Sequence, residues 1–150
     1  MASRLTGSWG KVSLLVNNLP KDLKTQAERL QESEAQRIAN DIKNSLFNQT
    51  LNHVDIKQAT KDGKNSSKIL IETGELANSI SVIDMGDKIY ITPQGNHHSG
   101  LSANELATIH EFGTDRVPPR PFIRPVYEDN KAEVVDNFED LIENVIAKYK

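Results

Sequence analysis

The feature that most constrains this chain is the run Leu106 to Pro125, L-A-T-I-H-E-F-G-T-D-R-V-P-P-R-P-F-I-R-P. Prolines at 118, 119, 121 and 125 remove backbone donors and fix φ, so this stretch is neither the interior of a helix nor a central strand. It reads as a rigid arm, Val117 to Pro125, following a short amphipathic helix that stops at Gly113, where glycine accepts a left-handed cap. Phe112 and Phe122 are expected to be buried and to anchor the arm. Such a device positions a surface and does not look like a catalytic centre.

Around this run the chain divides into recognisable pieces. Met1 to Gly10 is small and polar apart from Leu5 and Trp9, and residues 1–18 are expected to be a flexible or partner-ordered arm. Within it, Lys11 to Val16 fits a strand or a helix start. From Pro20, apolar residues recur at helical intervals: Leu19, Leu23, Ala27, Leu30, Ile38, Ile42, Leu46. That predicts one amphipathic helix over roughly 20–50 with Pro20 near its first turn. At 1.5 Å per residue it is about 45 Å long, more than so small a domain needs, so part of it is expected to pack on a neighbour.

Asn52 to Lys68 is polar, with an Asp62-Gly63 turn signal, and reads as a flexible loop. Ile69 to Ser79 gives a short apolar run, a Thr73-Gly74 turn and one helical turn. Ser79 to Asp84 and Lys88 to Thr92 are β-branched runs separated by Met85-Gly86-Asp87, which predicts a hairpin. Ser102 and Glu105 form an S-x-x-E capping box for a helix with Ala103, Leu106, Ala107 and His110 on one face. Val134, Phe138, Leu141, Val145 and Tyr149, with Val135, Ile142 and Ile146 beside them, make a broad apolar stripe on a terminal helix. The expected fold is α+β: two long terminal amphipathic helices packed on a small antiparallel sheet containing a β-hairpin, plus a short helix and the proline-rich arm, with residues 19–150 as one domain.

Composition excludes several function classes. A formal net charge of −3 does not nominate nucleic acid as a ligand. The absence of cysteine rules out disulfides, thiolate zinc sites and a cysteine nucleophile. There is no stretch of about 18 apolar residues and no signal-peptide order at the amino terminus, so a protein made in the cytoplasm and kept off membranes is expected.

Chemistry-bearing groups are few. His97, His98 and the pair His110-Glu111 are the only grouping that could hold a metal. The stretch H-E-F-G-T lacks the second histidine four residues on that a zincin helix requires. These histidines are therefore expected to be structural or solvated, with no metal or cofactor, and His110 to be a core or interface residue. Ser99-Gly100 and Thr73-Gly74 offer no nucleophile elbow and no base, and Gly95 to Gly100 lacks the lysine of a P-loop. Arg116, Arg120 and Arg124 either line a solvated loop or meet carboxylates of a partner. The acidic terminal helix, with Glu128, Asp129, Glu133, Asp136, Glu139, Asp140 and Glu143, supplies such carboxylates. An arm meeting this helix on the next subunit would build a head-to-tail contact, and with closure a ring.

The order T-G-E-L-A-N-S-I (Thr73 to Ile80), a hairpin, A-T-I-H-E-F-G-T (Ala107 to Thr114), P-P-R-P-F-I-R-P (Pro118 to Pro125) and a terminal amphipathic helix resembles the virion-morphogenesis and tail-completion proteins of tailed bacteriophages. The resemblance covers residues 69–150 best. It implies a non-enzymatic virion protein of the neck that completes the tail and joins it to the head. It also implies a homo-oligomeric ring, a hexamer by family expectation, through which DNA passes without sequence-specific binding. Its partners would be a connector or head-completion protein and a tail terminator or tail tube protein. Glu111, Phe112, Arg116, Arg120, Pro121, Phe122 and Arg124 are the interface candidates, and Thr73, Gly74 and Gly113 the structural turns. The alternatives are a tail terminator or minor head protein and, from another class, a small metal-dependent enzyme using His97, His98, His110 and Glu111.

Overall fold

The computed structural model describes residues 9–149 apart from 54, 64 and 65. The chain is α+β, in the order α1 (Trp9–Asn48), α2 (Gln58–Gly63), α3 (Glu75–Ser79), β1 (Ile80–Asp84), β2 (Ile89–Pro93), α4 (Ala103–Phe112) and α5 (Arg124–Ala147). The strands form a two-stranded antiparallel sheet in which Val82 faces Ile91 and Asp84 faces Ile89. The connection is thus Met85 to Lys88, one residue longer than the hairpin signal gave, closed by Met85 N–H donating to the Lys88 carbonyl at 2.9 Å.

Helix α1 runs for 40 residues, about 60 Å, and begins well before the expected start. Of the expected amino-terminal arm, residues 1–8 lie outside the described residues, and 9–18 are helical and continuous with α1. Pro20 therefore sits inside the helix rather than in its first turn. A proline there costs about 3 kcal/mol, of which the good helix formers Leu14, Leu15 and Leu19 and an Asn17-to-Ser13 side-chain bond of 3.2 Å recover only a part. Val16, whose carbonyl loses its donor to Pro20, is exposed to water.

Helix α5 lies antiparallel to α1. The Tyr149 hydroxyl donates to Asp22, Asn137 donates to Glu34 at 2.9 Å, and Arg37 reaches Asn130 and Glu133. Arg37 is the hub of this seam. It holds Glu34 at 2.6 and 3.0 Å, Glu133 at 3.2 Å and Asp41 at 3.6 Å. The Glu34 hydrogen bond is the main reason its guanidinium pKa is raised. Glu34 is only 7% exposed, so this carboxylate depends on its partners.

The other half of α1 covers the sheet. Ile38, Ala39, Ile42 and Leu46 pack with Ile71, Leu76, Ala77, Ile80, Ala107, Phe122 and Val126 into one buried cluster. Ala103 and Ala107 are the buried residues of α4, whose capping box forms as the sequence predicts. Two further expectations are corrected. The 52–68 stretch contains the short helix α2 rather than being loop throughout. The arm ends at Ile123, because Pro125 occupies the first turn of α5, where its missing N–H is not needed.

Candidate functional site

The proline-rich segment is held down by Glu111, on the last turn of α4. One carboxylate oxygen accepts from the backbone N–H groups of Phe122 (2.8 Å) and Ile123 (3.0 Å), and the other from Arg124 (2.9 Å). The N–H groups of Ile123 and Arg124 are the opening donors of α5, and that of Phe122 immediately precedes them; the N-cap residue, Ile123, has no capping side chain of its own. A carboxylate from a different helix thus caps α5 and complements its dipole. Helix α4, the arm and α5 are thereby joined. Arg120 N–H adds a bond to the His110 carbonyl at 2.7 Å.

Gly113 makes the turn possible in a way the sequence reading did not foresee. Its φ of 75° and ψ of 179° lie outside the left-handed helical region, in a region open essentially to glycine alone. A Cβ there would lie 2.8 Å from the Val117 carbonyl oxygen and 2.9 Å from Pro119. The arm folds back over Gly113, with Thr114 N–H donating to that same carbonyl at 2.8 Å.

Phe122 is fully buried, whereas Phe112 is 65% exposed; the expectation of two buried anchors holds for one. Helix periodicity explains the difference. Ala103 and Ala107 direct the buried face of α4, and Phe112, five residues beyond Ala107, turns away from it. Phe112 instead lines a shallow groove of 440 Å³ with Ile91, Ile123 and the exposed Tyr127. Arg116 and Arg124 are exposed, and Arg120 and Pro121 are half-buried.

On the other side of α4 is a cleft of 310 Å³ lined by Gly74, Glu75, His97, His98, His110 and Arg120, among others. Gly74 is buried at φ 84° and starts α3, and the Thr73 hydroxyl accepts from Glu75 N–H at 3.4 Å. The metal set considered from sequence is not assembled. Both oxygens of Glu111 are turned to the start of α5, so it does not join His97, His98 and His110.

A different acid takes that place. Glu75 accepts from His98 N–H at 3.1 Å and lies 2.8 Å from His98 Nδ1 and 3.6 Å from His97 Nε2. The contact with the His98 ring, and then that with its backbone, hold the Glu75 carboxyl below its ordinary pKa. Glu72 stands 3.7 Å from His98 Nε2. Glu72 and Glu75 carried no signal in the sequence, because their proximity to the histidines depends on how α3 packs beside the 94–102 loop.

His53 was likewise not anticipated. Burial lowers its pKa, Arg120 adds to the shift, and Glu111 opposes it.

No family model, curated protein or solved structure matches the chain. Among the described residues, no helix is long and apolar enough to cross a membrane.

Proposed function

We propose that this chain is a non-enzymatic structural component of a tailed-phage neck, completing the tail and joining it to the head as a homo-oligomeric ring around the DNA channel. The observation that carries the self-association in this reading is the amino-terminal part of α1, which no other described residue covers. Every residue from Val12 to Asn18 is exposed, and Val12, Leu15 and Val16 continue the stripe of Leu19 and Leu23 past the point where α5 ends beside Asp22. An apolar stripe left uncovered by the described residues fits a neighbour.

A second copy offers a matching surface. Val135, Ile142 and Ile146 on α5 are 55%, 42% and 41% exposed and share one helix face at i, i+7 and i+11. Charge adds to this: the first part of α1 carries Lys21, Lys24 and Arg29 against Asp22 and Glu28, while α5 is strongly acidic. Arg116 and Arg124, both exposed, can meet the same carboxylates, and Phe112 and Tyr127 add an apolar patch. Laying α1 of one copy on α5 of the next is a head-to-tail contact, and closure makes it a ring. The net charge of −3 suits a channel that lets phosphate slide rather than trapping it. The resemblance of the motif order to tail-completion proteins is what points this reading to the neck, and with it to a connector or head-completion protein on one side and a tail terminator or tube protein on the other.

The test is electron microscopy of particles made without the protein. DNA-filled heads and full-length tails that fail to join are expected. Truncating a buried phenylalanine typically costs about 3 to 5 kcal/mol, so Phe122→Ala is expected to reproduce the defect. Normal joining in the null, or mainly unpackaged heads, overturns the neck assignment. For the ring, Leu15→Asp with Val16→Asp is expected to abolish self-association at high concentration while leaving the helical signal intact.

A further inference from the structure

We infer that Glu75, His97 and His98 form a binding site for one divalent cation of the zinc class, which pins the 94–102 loop to α3. This goes beyond the neck assignment and does not rest on it.

The donor set is two imidazoles and a carboxylate, the borderline nitrogen and oxygen ligands that select Zn²⁺, Co²⁺ or Ni²⁺ over Mg²⁺ and Ca²⁺. One ligand atom from each residue lies within 4.8 Å of the others. Two ligands held tetrahedrally at about 2.0 to 2.1 Å from zinc sit roughly 3.3 Å apart. The distances from Glu75 Oε2, 2.8 Å to His98 Nδ1 and 3.6 Å to His97 Nε2, bracket that spacing. Only small side-chain adjustments separate the hydrogen-bonded cluster from a coordinating one, with the cation taking the place of the contact between the His98 ring and Glu75.

The His97 ring is also held in place: Nδ1 lies 2.9 Å from the Ser99 hydroxyl and accepts from Ser99 N–H at 3.2 Å, which orients the ring so that Nε2 faces Glu75. Glu72 is 3.7 Å from His98 Nε2, beyond hydrogen-bond reach, and adds a second carboxylate beside the cluster. The loop itself is braced: His97 N–H donates to Leu101 at 2.9 Å, Gly100 N–H to His97 at 3.0 Å and Ala103 N–H to Gly95 at 2.9 Å. His97, although on a loop, is only 11% exposed. Paired histidines in a solvated turn need none of this support. The cleft beside the cluster leaves room for water in the remaining coordination position.

The experiment titrates Zn²⁺ into the chelator-treated, untagged full chain, followed by calorimetry, thermal unfolding and the imidazole resonances of the four histidines. One equivalent is expected to bind and raise the melting temperature. His97 and His98 are expected to shift, and His53 and His110 to stay unperturbed. His97→Ala and Glu75→Gln are expected to remove the zinc-dependent rise, and Ser99→Ala to weaken binding about tenfold. Reading the rise against each variant's own metal-free melting temperature separates lost binding from lost stability. Absence of stoichiometric binding, equal perturbation of all four histidines, or a zinc-dependent rise that survives both substitutions overturns the site.

Discussion

Removing the Glu111 carboxylate should uncouple α4 from α5, and its size can be worked from the geometry. Three backbone donors at 2.8, 3.0 and 2.9 Å converge on one ionised group. A hydrogen bond to a charged group contributes about 1.5 to 3 kcal/mol, but three bonds sharing one acceptor at a half-exposed position do not add. A more direct comparison is the loss of a helix cap, about 0.5 to 2 kcal/mol, increased here because the donor at Phe122 belongs to a fully buried residue. Glu111→Ala is therefore expected to destabilise by about 2 to 4 kcal/mol, taking these contributions together. In a chain of this size each kcal/mol lowers the melting temperature by about 2 to 4 °C. Glu111→Gln keeps one acceptor oxygen and loses the charge, so it should fall between wild type and alanine. Glu111→Asp should resemble alanine, since one methylene fewer leaves the carboxylate short of the three donors. Urea unfolding followed by far-ultraviolet circular dichroism measures all three. A Glu111→Ala loss below about 0.5 kcal/mol, the usual range of an unexceptional surface substitution, would refute the capping argument.

Gly113→Ala is expected to destabilise by about 3 kcal/mol or more, combining a glycine-only backbone region with overpacking against Val117 and Pro119; chemical denaturation checks it, and a near-neutral result removes the fold-back turn. Arg37→Ala leaves Glu34 short of its main partner. Because Arg37 is 30% exposed, the expected loss is about 2 kcal/mol, below that for a fully buried pair, and adding Glu34→Gln should recover part of it in a double-mutant cycle. His53 gives a pH dependence. Its folded pKa lies below the ordinary value of about 6.5, so the unfolded chain takes up the proton first. Stability is then lost as pH falls through the ordinary value and levels off below the folded one. Thermal melts across this window should show the loss, and His53→Gln should flatten it.

What was legible in the sequence was whatever depends on neighbours a few residues apart. The helical stripe Ile38, Ile42, Leu46, the capping box Ser102–Glu105 and the two β-branched runs of the hairpin are local patterns, and each forms the element it predicts. The start of α1 was misplaced because proline is a boundary signal only where its consequences are felt; in an exposed segment the helix runs through Pro20. Sites formed by distant residues were less legible. Glu111 was visible as part of E-F-G-T, but its acceptor role depends on an arm that doubles back over Gly113, and no spacing rule encodes that return. His97 and His98 were conspicuous from the start, yet adjacent histidines without a third ligand carry little weight. The third ligand, Glu75, sits 22 residues before His97, on a helix of five residues. Its position follows from a turn at Gly74 packed against Phe47 and from the hairpin that carries the chain back beside α3. The unpartnered stripe on α1 has the opposite character. Its apolar spacing was in the sequence, but only the end of α5 beside Asp22 shows how much of that stripe the described residues leave uncovered. The same pairing of α1 with α5 that completes the core thus also defines the surface offered to a neighbour.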